Sequence, residues 1–271
     1  MADPRTSIQR EGLGTPTRYQ ICMPIAAMYK TPSPESMIDT QLVFGAAFDV
    51  YEIKDDWAYG QEIVENGYGY VGYIPMLALV LARFSATHII ASLRAPVFTK
   101  PDLKSPIRKY LPLNAGVSIE GQRGDYYFAR DVGWLHQRHL IAQEDMHIDA
   151  DFVEIAELHF GLPYVWGGVS SDGLDCSGLV QTSLRAVGRD APRDADMQEA
   201  TLGHSLPIRG DFSGLQRGDL IFWKGHVGIM GDAHMLLHAN AHHMGVAIEP
   251  LAEAAERIAK AAGLITSIKR I

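Results

Sequence analysis

The feature that most restricts the fold is a series of short β-type segments that occurs twice in the same order. In the first copy, Gln41-Leu42-Val43-Phe44-Gly45, Phe48-Asp49-Val50-Tyr51-Glu52-Ile53, Trp57-Ala58-Tyr59-Gly60-Gln61-Glu62 and Tyr70-Val71-Gly72-Tyr73-Ile74 alternate, or carry β-branched and aromatic residues, between turn residues. Asn66-Gly67 supplies a hairpin turn signal between the last two. In the second copy, Leu113-Asn114-Ala115-Gly116-Val117-Ser118-Ile119, Tyr126-Tyr127-Phe128-Ala129-Arg130 and Val132-Gly133-Trp134-Leu135 follow in the same order. The expected outcome is two small all-β barrels in tandem, residues 21–76 and 90–142, joined by a connector. Residues 1–20 are polar, hold Pro4, Gly12, Gly14 and Pro16, and read as a loose arm.

From about residue 148 the pattern changes to α+β. Asp149 to His159 has helical spacing at Phe152, Ile155, Ala156 and His159, with Asp149 or Asp151 as cap. Ser177 to Val187 reads as a second helix stopped by Gly188. Asp219 to Trp223, Val227 to Met230 and Met235 to Ala239 read as consecutive strands, with Phe222 and Trp223 in the core. A helix from Leu251 to Ala262 and a strand within 264–271 close the chain. The catalytic candidates fall in this third domain, residues 148–271.

Composition removes several functional classes. A net charge of −8 over 271 residues argues against general nucleic-acid binding, which needs a basic face. The longest apolar run, Ile74 to Ala82, is far short of the ~20 residues of a membrane span. The first residues carry no apolar leader, so a cytoplasmic location is expected. Two cysteines, Cys22 and Cys176, can pair only once and cannot build a disulfide scaffold, so a reduced pair is expected.

Cys176 stands directly before a helix, where the positive end of the macrodipole is expected to lower its pKa. A nucleophile of this kind needs a base. His226 begins one strand and His238 lies in the next. A hairpin centred on Asp232 sets the two imidazoles directly opposite, with Cβ atoms ~5 Å apart. One ring can then hold the other while it takes the thiol proton. His234, His242 and His243 add imidazoles without the carboxylate or thiolate spacing of a zinc site, so no metal and no cofactor are expected.

Five ordered motifs carry a resemblance. Leu162-Pro163-Tyr164-Val165-Trp166-Gly167-Gly168, Asp175-Cys176-Ser177-Gly178-Leu179-Val180, Arg217-Gly218-Asp219-Leu220-Ile221-Phe222-Trp223, His226-Val227-Gly228-Ile229 and His238-Ala239 resemble the NlpC family of bacterial cell-wall cysteine peptidases. The N-terminal barrels resemble bacterial SH3 domains. The whole is similar to γ-D-glutamyl-L-diamino acid endopeptidases, which cut murein stem peptides after D-glutamate. The resemblance implies a papain-like α+β catalytic domain with an antiparallel sheet. By position it makes Cys176 the nucleophile, His226 the base, His238 the third polar residue and Tyr164 an oxyanion group beside the backbone N–H of Cys176. It implies substrate contacts for Asp175, Ser177, Arg193 and Asp194, and a pocket wall for Trp166. Ala195 stands where the family often has serine. Glu35 and Tyr70 match residues that bind the free amine of an N-terminal L-alanine. The implied substrate is a short free murein peptide met during cell-wall recycling, with oligomeric state open. A peptide-binding module with a decayed enzyme domain, or an amidase or transferase using the same thiol and imidazole on another substrate, are the rival readings.

Overall fold

The computed structural model describes residues 3–64, 67 and 69–271. The chain divides between Met146 and His147 into two compact units. Among the described residues no helix is long and apolar enough to cross a membrane, and both cysteines are free thiols.

The first unit is all β. Strands β1 (Thr17–Ile21), β2 (Ile25–Tyr29), β3 (Ile38–Val43), β4 (Ala47–Lys54), β5 (Trp57–Glu62), β6 (Val71–Pro75) and β7 (Leu79–Leu81) form one sheet in the order β3-β2-β6-β5-β4-β1-β7. A second set follows: β8 (His88–Ile90), β9 (Arg94–Phe98), β10 (Ile107–Pro112), β11 (Gly116–Val117), β12 (Ile119–Arg123), β13 (Tyr126–Ala129), β14 (Gly133–His136) and β15 (Leu140–Ala142). The pairing repeats one topology. β1 lies between β4 and β7 as β8 lies between β11 and β15, and β2 lies between β3 and β6 as β9 lies between β10 and β14. Period-two burial explains it: Ala26 and Met28 on β2, and Ala95 and Val97 on β9, point inward at matching places. Phe44 of the first module completes the core of the second, and its carbonyl accepts from Gly116 N–H at 2.9 Å.

Two expectations change here. Of the expected loose arm 1–20, the described residues 3–20 are fastened to the first sheet. Their last four residues belong to β1, a strand flanked on both sides. Upstream, Arg5 C=O accepts from Val71 N–H at 2.8 Å, Thr6 C=O accepts from the Gln61 amide at 2.8 Å, and Arg10 lies over the Tyr59 ring while pairing with Glu52. The segment is fastened because it satisfies backbone groups beside β5 and β6. Of the expected Asn66-Gly67 turn, Asn66 lies outside the described residues; β5 and β6 on either side pair antiparallel.

The second unit is α+β. Its elements are α1 (Phe152–Glu157), β16 (Val169–Ser170), β17 (Gly173–Leu174), α2 (Cys176–Ala186), α3 (Ala195–Thr201), β18 (His204–Leu206), β19 (Leu220–Trp223), β20 (His226–Met230), β21 (Met235–Asn240), β22 (Gly245–Pro250), α4 (Leu251–Ala262) and β23 (Ser267–Arg270). Six strands form an antiparallel sheet in the order β18-β23-β19-β20-β21-β22. Alternate residues feed two cores. Leu220, Phe222, Val227, Ile229, Leu237 and Ala239 pack with α1 and α2. Ile221, Trp223, Met230 and Leu236 pack with Leu251 and Ala254 of α4. A sheet covered on both faces reads as a continuous apolar run, which is why β19 to β21 stand out in the sequence.

Candidate active site

The nucleophile candidate is placed by a cap. Asp175 precedes α2 in extended conformation, and its Oδ1 accepts from Gly178 N–H at 2.7 Å. That bond starts the helix and makes Cys176 its first residue. Asp175 Oδ2 also accepts from Gly167 N–H at 2.9 Å. Arg193 closes the cluster, donating to Asp175 Oδ1 at 2.9 Å, to Oδ2 at 2.6 Å and to Ser177 Oγ at 3.0 Å. Gly178 is required for close packing, because a Cβ there would stand 2.2 Å from the Gly168 carbonyl oxygen.

Substrate contacts were expected of Asp175, Ser177 and Arg193. All three are buried, and their polar atoms hold one another and the backbone of the nucleophile's loop. Asp194 is half-buried at the start of α3. Ala195 is buried against the α1–α2 core. Trp166 is 63% exposed and open to a ligand. In the first unit, Glu35 is exposed on the β2–β3 connection and Tyr70 is buried just before β6.

The thiol also departs from expectation. Burial pushes the Cys176 pKa up to about 12, and the nearby Asp175 charge adds to the rise. The Val227 and Ser177 N–H groups at the sulfur, and the Arg193 charge, act in the opposite direction and lose. A macrodipole contributes ~0.3–1 kcal/mol at an exposed site and does not offset full desolvation here. Burial therefore favours the neutral thiol at rest. Tyr164 packs against the same core as Cys176, and burial is the main cause that raises its phenol pKa.

The two histidines meet, though by a different register. β20 and β21 pair Ile229 with Leu237 and Met230 with Leu236. The hairpin is thus centred on residue 233 rather than on Asp232. Asp232 itself shifts the centre, because its Oδ1 accepts from the N–H groups of His234 at 2.7 Å and Met235 at 2.8 Å. Gly228 takes the place beside His238, where a Cβ would approach the His238 Cβ to 3.2 Å. His226 and His238 are diagonal neighbours on one face. Their rings span the diagonal, with His226 Nε2 2.8 Å from His238 Nδ1. The Trp223 ring lies 5.7 Å from that of His226 and walls it.

Both imidazoles rest neutral. Burial lowers His226 to about 3, with the His238 ring adding to the effect. Burial lowers His238 to about 4 against the opposing pull of Glu249. Glu249 is the site residue that the sequence reading missed. It lies on β22, and its Oε1 is 2.7 Å from His238 Nε2. Burial alone would raise its carboxyl, but hydrogen bonds from Arg257 and His238 bring it to about 2. Its signal in the sequence is faint: one acid in a short segment with buried Val246, ending at Pro250. His238, His243 and Glu249 offer three donor atoms within 4.8 Å of one another, the arrangement closest to a metal site among the described residues. His238 and Glu249 are already bonded to each other, and Glu249 to Arg257.

A thiol at a helix start with the Val227 N–H at its sulfur, and an imidazole pair that begins at the neighbouring residue, His226, equip this site for acyl transfer through a covalent thioester. Comparisons with known proteins agree. The NlpC/P60 family model matches residues 161–259. The bacterial dipeptidyl-peptidase Sh3 domain model matches residues 28–79. The γ-D-glutamyl-L-lysine dipeptidyl-peptidase of Bacillus cereus is 28% identical over 247 residues, 79% of this chain and 71% of the relative. Dipeptidyl-peptidase 6 of Lysinibacillus sphaericus is 25% identical over 244 residues, 80% of this chain and 85% of the relative. The crystal structure of an NlpC/P60 family protein from Bacillus cereus superposes with a TM-score of 0.78 at 20% identity, over 94% of this chain and 99% of that one, and so shares the fold.

Proposed function

We propose that this chain, whose residues 161–259 match the NlpC/P60 family model and whose residues 28–79 match a bacterial Sh3 domain model, is a cysteine peptidase that hydrolyses the γ-D-glutamyl–diamino acid bond of short murein peptides with a free N-terminal L-alanine. The observation that carries the reading is Cys176 as the first residue of α2 with the Val227 N–H at its sulfur, one residue along β20 from His226, whose Nε2 lies 2.8 Å from His238 Nδ1. The relatives' names support the substrate class, since a dipeptidyl-peptidase removes a dipeptide from a free amino end.

In the proposed reaction the Cys176 thiol proton passes to His226 as sulfur attacks the γ-carbonyl carbon. The oxyanion is held by N–H groups at the α2 terminus, with Tyr164 beside them. His226 then gives the proton to the departing diamino-acid amine, leaving a thioester. Water, activated by the same imidazole, releases L-alanyl-D-glutamate and restores the thiol. A neutral thiol beside a neutral imidazole suits this order, because charge separates only when a carbonyl is present to be attacked. The second β module, which repeats the topology of the first, is proposed as a second SH3-like domain. Glu35 and Tyr70 stay in the reading as amine-recognition residues on the resemblance of their positions. Peptide turnover in the cytoplasm is its proposed setting.

The test is mass spectrometry of L-Ala-γ-D-Glu-meso-diaminopimelate, its L-lysine analogue and their N-acetylated forms after incubation with the protein. Release of the diamino acid from the free peptides alone, abolished by Cys176→Ala, is expected. Equal cleavage of the acetylated forms would remove the amine requirement and with it the roles of Glu35 and Tyr70. No cleavage of any of them would overturn the substrate assignment.

A further inference from the structure

The imidazole row continues past His238 into a carboxylate and a guanidinium. Glu249 is buried, and both its oxygens are claimed. Oε2 accepts from Arg257 Nη1 at 2.5 Å, and Oε1 accepts from Arg257 Nη2 at 2.5 Å while lying 2.7 Å from His238 Nε2. We propose that Glu249, held by Arg257, is a positioning residue that fixes the proton order along His238 and His226 and leaves Nδ1 of His226 as its basic nitrogen. The inference rests on the peptidase reading for its consequence in catalysis, but its geometry is independent of the substrate.

The argument is a chain of forced choices. A carboxylate bridged by a guanidinium is ionised and only accepts. His238 must therefore carry its proton on Nε2 and donate it to Glu249. A neutral imidazole has one N–H, so His238 Nδ1 is a lone pair. That lone pair lies 2.8 Å from His226 Nε2, which must then be the donor. The remaining nitrogen of His226, Nδ1, is left bare. Without an acceptor-only group at position 249 the reverse order is equally allowed, and His226 would then hold its proton on Nδ1, where a base needs its lone pair. The fold builds this directly: His238 shares its face of β21 with Leu236, Leu236 pairs with Glu249 across β22, and α4, which carries Arg257, packs on that face.

The charged and titratable groups around Glu249 are few. His238 on β21 and His226 on β20 lie on one side. His243, in the β21–β22 connection, places Nδ1 3.9 Å from Glu249 Oε1 while bonding Asn240 Oδ1 at 3.0 Å. Arg257 comes from α4, with Glu253 of the same helix acting on Arg257. A purely structural role would tie β22 to α4 and have no effect on which histidine nitrogen holds a proton.

Glu249→Gln separates the two roles. Arg257 still demands an oxygen, so the glutamine turns its amide nitrogen towards His238 and donates to Nε2. The proton order is then expected to invert, with His238 carrying Nδ1–H and His226 Nδ1–H. The experiment is nitrogen-15 NMR of the histidine rings in the full-length wild type and the variant, with the rate of Cys176 alkylation by iodoacetamide beside it. Neither readout needs a substrate, so failure of the murein-peptide assignment would leave both intact. Expected are Nε2–H on both rings in the wild type, inversion in Glu249→Gln, and an alkylation rate lower by about ten- to a hundred-fold in that variant. A folded Glu249→Gln with unchanged tautomers and rate would overturn the proposal. If that variant fails to fold, the wild type alone decides it: Nδ1–H on either ring would overturn it as well.

Discussion

Two carboxylate–arginine pairs flank the thiol–imidazole site, and they differ in what the carboxylate does next. Asp175 with Arg193 lies at the start of α2, with side chains 9% and 4% exposed. Glu249 with Arg257 lies where β22 meets α4, with side chains 10% and 29% exposed. The first carboxylate accepts from backbone N–H groups of Gly167 and Gly178 and so shapes a loop. The second faces an imidazole and so acts on a proton. The same pair of charges is scaffold in one place and chemistry in the other, and the third partner decides which.

The sharpest way to break this contrast is Arg193→Ala, which strands a buried Asp175 charge. It is expected to cost about 3–5 kcal/mol of stability, read by urea unfolding, with activity lost in proportion to folding. A loss below ~1 kcal/mol would mean that the cluster is not the scaffold of the loop. Acid comes next. His238 has an ordinary pKa of 6.5 and a folded value of about 4, so between them the unfolded chain holds the extra proton. Stability is therefore full above pH ~6.5 and falls as the pH drops towards 4, by an amount on the order of 3 kcal/mol. Glu249 extends the loss from its ordinary 4.5 down towards 2. Unfolding free energies measured at pH 7 and at pH 4.5 that agree within error would contradict the buried neutral row. Glu249→Gln should cost less stability, about 1–3 kcal/mol, yet disturb catalysis more than that figure explains; equal and small effects on both would make the second pair a scaffold too. At the bottom of the scale, Lys260→Ala removes the exposed Lys260–Glu256 pair on α4, with both side chains about three-quarters exposed. A change under ~0.5 kcal/mol in thermal or urea unfolding is expected, as for charges that never leave water.

The repeated β order, four of the six strands of the second unit's sheet and three of the helices were legible because periodicity of 2 or 3.6 survives in the residues themselves. α2 was legible to within a residue because its apolar spacing is helical and Gly188 is a standard stop, whereas its Asp175 cap emerged only from the structure. α3, β18 and β22 were not read, because Ala195–Thr201, His204–Leu206 and Gly245–Pro250 are short and carry little pattern of their own. The imidazole pair was legible in outline. Its register was not, since the side-chain bonds of Asp232 set the turn, and no count along the chain weighs them. The thiol's rise was illegible for a plainer reason: the helix start is local in sequence, whereas the burial that opposes it is assembled from α1, the sheet and the loop before α2.

The neutral resting state of Cys176 also bears on how long the protein survives. Peroxide attacks thiolate sulfur far faster than thiol sulfur, and access governs the rest. A nucleophile kept protonated and covered resists conversion to the sulfenic and sulfinic acids that would end its working life. The burial that disfavours the thiolate and leaves Cys176 only 8% exposed thus works against oxidation as well, a shelter that is set by packing rather than by chemistry.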